Sequence, residues 1–223
     1  MAHAWDPVWE DVFSRQAWGK YPGEDLIRFI ARNFYKVTDK SALKLLEVGF
    51  GTGANLWFMA REGFPVHGIE GSATAIKLAK ERLDQEVPEW QGELLQGDIL
   101  QLPYEDNSFD AVIDNEAIYA NSFENAVQMY KEIHRVLKPG ALMFSRCFTE
   151  QTTGYGSGTA LGKHAFLVSE GPMTGKGYTR FTTRECLEEL LQPFKVNELQ
   201  CISRHSDGGD KVSEWIIIAS KSA

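Results

Sequence analysis

The sequence predicts an α/β fold built on a mostly parallel sheet with helices on both faces. Three observations predict it. Short apolar runs alternate with helical stretches from Leu43 to Phe148; such alternation implies crossover connections and therefore parallel strands. The first run ends in a glycine-rich link, Gly49-Phe50-Gly51-Thr52-Gly53. The last two runs are joined by Asp207-Gly208-Gly209-Asp210, a turn so short that it makes an antiparallel hairpin.

The elements follow in order. Residues 5–35 carry helical spacing at Leu26, Phe29, Ile30 and Phe34, with Asn33 as a polar intrusion, and Pro22-Gly23 divides them into two helices. Leu43–Val48 reads as a buried strand, and Ala54–Glu62 as a helix stopped by Gly63. Pro65–Glu70 is a second strand, after which Ser72 caps a helix over Ala73–Gln85. Leu94–Gln96 and Phe109–Asp114 are the third and fourth strands, followed by a long amphipathic helix, Asn121–Leu137. Pro139-Gly140 turns the chain into a fifth strand, Ala141–Phe148. Thr182/Thr183 opens a helix through Leu191, and strands at Lys195–Arg204 and Val212–Ser220 form the closing hairpin.

Residues 149–180 stand apart. They hold Gly154, Gly156, Gly158, Gly162, Gly171, Gly175 and Gly177 and show little periodicity. Because they follow a strand's carboxyl end, where open α/β sheets bind ligands, they are predicted to form a lid or substrate-binding insertion. Residues 1–40 are expected to be an N-terminal helical cap, the whole of 1–223 being one domain.

With 223 residues, 43% apolar and 24% charged, the chain can bury a core without a disulfide or metal staple. A formal net charge of −8 speaks against nucleic acid or an anionic membrane as the main partner. Cys147, Cys186 and Cys201 are scattered and odd in number, so they are expected to be reduced, small apolar fillers rather than metal ligands. No signal peptide is visible, and apolar stretches such as Trp215–Ala219 are too short to span a bilayer. A cytoplasmic location is the expectation.

The chemistry starts at the glycine link. Alternate glycines between a strand and a helix permit a tight turn and close approach of backbone to a ligand. Glu70, with Gly71 beside it, ends the second strand about 20 residues after Gly49, where an acidic side chain can accept hydrogen bonds from ribose hydroxyls. Both a nicotinamide enzyme and an adenosyl-cofactor enzyme use that arrangement. After the third strand, Asp98 is placed to accept from an adenine amino group and Ile99 to pack on the ring.

Together, Glu47-x-Gly49-x-Gly51-x-Gly53, Glu70, Gly97-Asp98, Phe109-Asp110-x-Val112 and Val136-Leu137-Lys138-Pro139-Gly140 resemble the class I S-adenosylmethionine-dependent methyltransferases. The likeness is close over residues 43–148 and looser through Arg180-Phe181-Thr182 and the final hairpin. More narrowly, Trp18-Gly19-Lys20-Tyr21-Pro22, Asn55–Gly63 and Ser213-Glu214-Trp215-Ile216 resemble small bacterial methyltransferases of the type 11 kind, often associated with surface-polysaccharide or sugar modification. Phe50 departs from the pattern, which favours a small residue there.

This resemblance implies a Rossmann-like seven-stranded sheet in the order 3-2-1-4-5-7-6, its last strand antiparallel. It implies that Glu47 and the Gly49–Gly53 loop hold the methionine end of S-adenosylmethionine. Glu70 would bind the ribose, Asp98 and Ile99 the adenine, and Asp114 and Asn115 would line the methionine side and the substrate mouth. The product would be S-adenosylhomocysteine.

In-line transfer of an activated methyl group needs positioning more than proton chemistry. Where a base is needed, Asp114, Glu116 or His164 is the candidate. Arg146 and Arg180 are candidates to clamp a substrate carboxylate or phosphate, with Tyr119, Lys176 and Tyr178 beside them. Each has an ordinary alternative: solvent exposure for Glu116 and Tyr119, a strand-end ion pair for Arg146, a loop position for His164. Trp18 and Tyr21 are predicted to close over the cofactor. Asp114-Asn115-Glu116-Ala117 stands where many nucleic-acid amino methyltransferases carry Asn-Pro-Pro-aromatic, which with the acidic charge points to a small-molecule acceptor. The chain is expected to act as a monomer or homodimer. Two other readings share the cofactor motifs: a nicotinamide-dependent oxidoreductase, and a non-catalytic S-adenosylmethionine-binding protein.

Overall fold

The sheet order follows from which apolar runs can stay buried on both faces. In the computed structural model, which describes residues 5–222, seven strands run β3-β2-β1-β4-β5-β10-β9. Residues 1–4 of the expected N-terminal cap lie outside the described residues. The strands are β1 (Leu45–Val48), β2 (Val66–Glu70), β3 (Gly92–Gln96), β4 (Phe109–Asn115), β5 (Leu137–Phe148), β9 (Lys195–His205) and β10 (Lys211–Ser220). β1 to β5 are parallel; β10 pairs antiparallel with both β5 and β9. With the three strands of a separate small sheet set aside, this is the predicted order 3-2-1-4-5-7-6.

Strand alternation divides the core between the two faces. Leu46, Val48, Val112, Met143 and Ile217 pack on one side with α5 (Phe123–Val136) and α6 (Arg184–Leu190). Leu45, Ala111, Ile113, Phe144 and Ile216 pack on the other with α2 (Glu24–Phe34), α3 (Ala54–Arg61) and α4 (Ala73–Glu86). Burying each large apolar side chain stabilises the fold by ~1.5–3 kcal/mol. Side-chain caps fix three helix starts: Ser72 accepts from the Ala75 amide, Ser122 from Asn125 and Thr183 from Cys186. α1 (Val8–Arg15) lies outside this sandwich and docks on α4.

Two expectations are corrected. Pro139-Gly140 falls inside the span of β5, where the pairing slips between Phe109↔Leu137 and Ala111↔Leu142, so the predicted turn survives as an irregularity within the strand. Residues 149–180 hold regular structure despite their weak periodicity. They contain a three-stranded antiparallel sheet, β6 (Thr159–Gly162), β7 (Ala165–Leu167) and β8 (Thr179–Arg180). Its glycines obscured the strand pattern because they serve close backbone approach: a Cβ on Gly158 would stand 2.0 Å from the Leu167 carbonyl oxygen. Cys147 and Cys186 are buried, but Cys201 is exposed on edge strand β9 and fills no core space. Among the described residues no helix is long and apolar enough to cross a membrane.

Candidate active site

The carboxyl ends of β1, β2 and β4 open into a cavity of about 450 Å³, within the range of small-ligand sites. The glycine link forms its floor. Gly49 has φ +64°, and a Cβ there would stand 2.3 Å from the Ala117 side chain, so only glycine lets the loop after β1 meet the turn after β4. Gly51 lines the cavity with Phe50 and Thr52, whereas Gly53 caps α3 in a left-handed conformation without a side-chain acceptor. The first-turn amides of α3 therefore border the cavity as uncapped donors, an arrangement that suits a carboxylate.

Glu47 is 2% exposed at the middle of β1. Asn55 Nδ2 donates to its Oε1 at 2.6 Å, while Oε2 is buried with no partner. Burial pushes its carboxyl up to about 8. Glu70 is differently held: Oε2 accepts from the Gly51 amide at 2.8 Å, and Oε1 from the amides of Gly71 and Ser72 at 2.8 and 3.0 Å. Burial raises this carboxyl against those three hydrogen bonds. Asp98 and Ile99 line the same cavity, with Asp98 Oδ1 accepting from the Leu100 amide at 2.9 Å. An orphaned acid oxygen beside uncapped helix amides fits an amino-acid zwitterion, and the Glu70–Ile99 side has the groups for a nucleoside.

An N-terminal strap covers the opening. Trp5, Trp9, Phe13, Trp18 and Tyr21 all line the cavity, although Tyr21 is 72% exposed. Glu10 ties the strap to the start of α4, accepting from Ser72 Oγ at 2.5 Å and from the Thr74 hydroxyl. Asp6 Oδ2 accepts from the Tyr178 amide at 3.2 Å, and Lys176 Nζ sits 5.2 Å from the centre of the Trp18 ring. The strap thus touches both the cofactor-side helix and the 149–180 insertion.

On the far wall the turn after β4 carries Glu116, a non-glycine residue at φ 60°. Arg146 pairs with it at 3.1 Å and with Glu214 through Nε at 2.8 Å and an η nitrogen at 2.6 Å; Arg204 reaches Glu214 at 2.8 Å. Burial and a hydrogen bond to Glu214 raise the Glu116 carboxyl. Burial also works upward on Glu214, but the hydrogen bonds from Glu116 and Arg146 and the adjoining guanidinium charges bring it below the usual range. Tyr119, Phe148, Met129, Pro172 and Met173 supply an apolar lining between this network and the glycine link.

Four expected site residues are placed elsewhere. Asp114 does not line the cavity: Oδ1 accepts from the Ala117 and Ile118 amides, and Oδ2 from Ser145 Oγ at 2.7 Å and the Tyr130 hydroxyl at 3.3 Å. Its oxygens hold the turn after β4. Arg180 is 1% exposed and does not line the cavity; it donates to the Asn121 and Ile118 carbonyls and to Thr182 Oγ1. His164 sits in the β6–β7 turn at φ 54°, its Nδ1 bonded to the Tyr155 hydroxyl at 2.8 Å, away from the cavity. Tyr178 is outside the lining as well. Arg146 does line the cavity, but as part of an ion-pair network. Sequence reasoning missed Glu214, Arg204 and Asn121 as cavity residues; the acidic Glu214 interrupting an apolar final strand was the available signal.

Residues 46–145 match the family model described as a methyltransferase domain. A sterol 24-C-methyltransferase from Gibberella zeae is 34% identical over 135 residues, covering 54% of this chain but only 32% of that protein. A demethylmenaquinone methyltransferase from Bacillus mycoides is 28% identical over 170 residues, covering 73% of this chain and 68% of the other. The solved structure of a methyltransferase from Methanosarcina mazei superposes with a TM-score of 0.71 at 23% identity, covering 86% of this chain and 97% of its own. Residues 46–145 therefore resemble a methyltransferase domain, and the chain has the Rossmann-like fold that the superposed methyltransferase structure shares.

Proposed function

We propose that the protein transfers the methyl group of S-adenosylmethionine to a small-molecule acceptor and releases S-adenosylhomocysteine. The observation that carries this reading is the buried, partnerless Glu47 Oε2 beside the uncapped start of α3. Together they suit the ammonium and carboxylate of a methionine moiety. Glu70 would take the ribose hydroxyls on the lone pairs its three amide donors leave free, with Asp98 and Ile99 at the adenine. The matched methyltransferase domain and the named relatives support the same chemistry. The nicotinamide and non-catalytic readings draw no support from them.

When bound, the cofactor supplies an activated methyl group on a sulfonium. The residues of this chain would do the rest by placement. The Gly49–Gly53 link and Glu47 would fix the methionine end, the Tyr119–Phe148–Met173 lining would present the acceptor, and the strap with residues 172–178 would exclude water. Positioning of this kind supplies roughly 7–11 kcal/mol toward a displacement. Glu116 is hydrogen-bonded to Glu214 and paired with Arg146, and Asp114 accepts four hydrogen bonds, so both carboxylates are already engaged. Relatives named for sterol and menaquinone methylation favour a largely apolar acceptor.

The test is incubation with methyl-labelled S-adenosylmethionine and a panel of hydroxylated ring compounds, read by mass spectrometry for label gained as one methyl group. Stoichiometric binding of S-adenosylhomocysteine with labelled product supports the reading. No product with any panel member and no cofactor binding rejects it.

A further inference from the structure

The turn from Asp114 to Asn121 concentrates several energetically costly features at one wall of the cavity. Glu116 occupies the left-handed region without being glycine. Beneath the turn, the Arg180 guanidinium is buried with no carboxylate in ion-pairing reach among the described residues. It donates instead to the Asn121 carbonyl at 3.1 Å, to the Ile118 carbonyl at 3.4 Å and to Thr182 Oγ1 at 3.1 Å. Asn121 is 6% exposed and lines the cavity, yet its Oδ1 receives no hydrogen bond. Buried unpaired charges and orphaned acceptors are rare because each loses its hydration without replacement. Their coincidence with backbone strain at one cavity wall marks a position kept for a ligand rather than for stability.

The neighbours define what that ligand is. Asn121 borders an apolar lining made by Tyr119, Met129, Phe148, Pro172 and Met173. The Tyr119 hydroxyl is turned to Met173 Sδ, at 3.9 Å. The nearby carboxylates Glu116 and Glu214 are engaged with Arg146, Arg204 and each other. Asn121 is thus the polar group in this lining that still needs a hydrogen-bond donor.

We propose that Asn121 is the acceptor-orienting residue of this cavity, taking a hydrogen bond from the hydroxyl or ring N–H of an otherwise apolar ring compound. Arg180 is the positioning residue that pins the turn carrying it. This assignment rests on reading the cavity as a methyl-transfer site. The buried guanidinium holds the Asn121 backbone through its carbonyl and so fixes that side chain at the wall where an acceptor would meet it.

Equilibrium dialysis of the full chain saturated with S-adenosylhomocysteine tests it, with 1-naphthol and 1-methoxynaphthalene as probes of equal ring system. The native protein should prefer 1-naphthol by about 3- to 10-fold, the worth of one hydrogen bond. Asn121→Leu should abolish the preference, and Asn121→Asp, which keeps shape and acceptor oxygens, should retain it. Arg180→Lys should shrink the preference while leaving the affinity for S-adenosylhomocysteine unchanged. Equal affinity for the two probes, a preference that survives in Asn121→Leu, or no binding of either probe overturns the assignment. Failure of the native chain to bind S-adenosylhomocysteine in the same samples would instead strike at the methyl-transfer reading.

Discussion

Replacing Glu47 by Gln isolates one strongly displaced ionisation in the fold. Glu47 lies at the centre of β1 with one hydrogen bond, from Asn55, and one bare oxygen. Burial lifts its carboxyl to about 8, against an unfolded value of 4.5. Between those two values the folded chain holds a proton that the unfolded chain has released. Stability must therefore fall as pH rises from about 4.5 to about 8 and stay reduced above it. At ~1.4 kcal/mol per pH unit, the full excursion amounts to at most ~5 kcal/mol. Glu47→Gln keeps the shape and the Asn55 contact but cannot ionise. Urea denaturation of the ligand-free protein at pH 5.5 and 8.5 should show the variant gaining on the native chain by ~2–4 kcal/mol across that interval. Because every other titrating group is common to both proteins, the difference reports Glu47 together with its interaction with Glu70 and Asp114. Parallel pH profiles for the two proteins would refute the reasoning.

Three further outcomes follow from the geometry. Glu70→Ala leaves the amides of Gly51, Gly71 and Ser72 without their acceptor, which should cost about 3 kcal/mol, lower Tm by roughly 6–12 °C in calorimetric scans and abolish S-adenosylhomocysteine binding. Gly49→Ala forces a side chain at positive φ into the Ala117 methyl and should destabilise the protein by about 3 kcal/mol in urea, with cofactor binding lost even where the fold persists. Glu10→Ala removes the anchor of the strap on Ser72 and Thr74; trypsin should then cleave after Arg15 or Lys20 faster, and S-adenosylhomocysteine should protect those sites less than in the native chain.

The sheet was legible because its strands are bounded by glycines, capping serines and apolar runs, each a local signal. Glu47, Glu70 and the Gly49–Gly53 link were legible for the same reason: a strand end and the loop after it place themselves. Arg180, Asp114 and His164 were not, because their surroundings are set by tertiary contacts. Arg180 pairs with carbonyls of a turn some 60 positions earlier, through a contact no local pattern announces. Asp114 differs from Glu116 by two positions, yet one is spent on the turn's amides and the other faces the cavity. The small β6–β8 sheet was hidden by glycines that read as loop but permit strands to approach closely.

Titration calorimetry with S-adenosylhomocysteine tests the central claim most directly. The account predicts one site per chain, with affinity lost in Glu70→Ala and no competition from NADH. Absence of binding by the native protein, or displacement of the ligand by NADH, would contradict it.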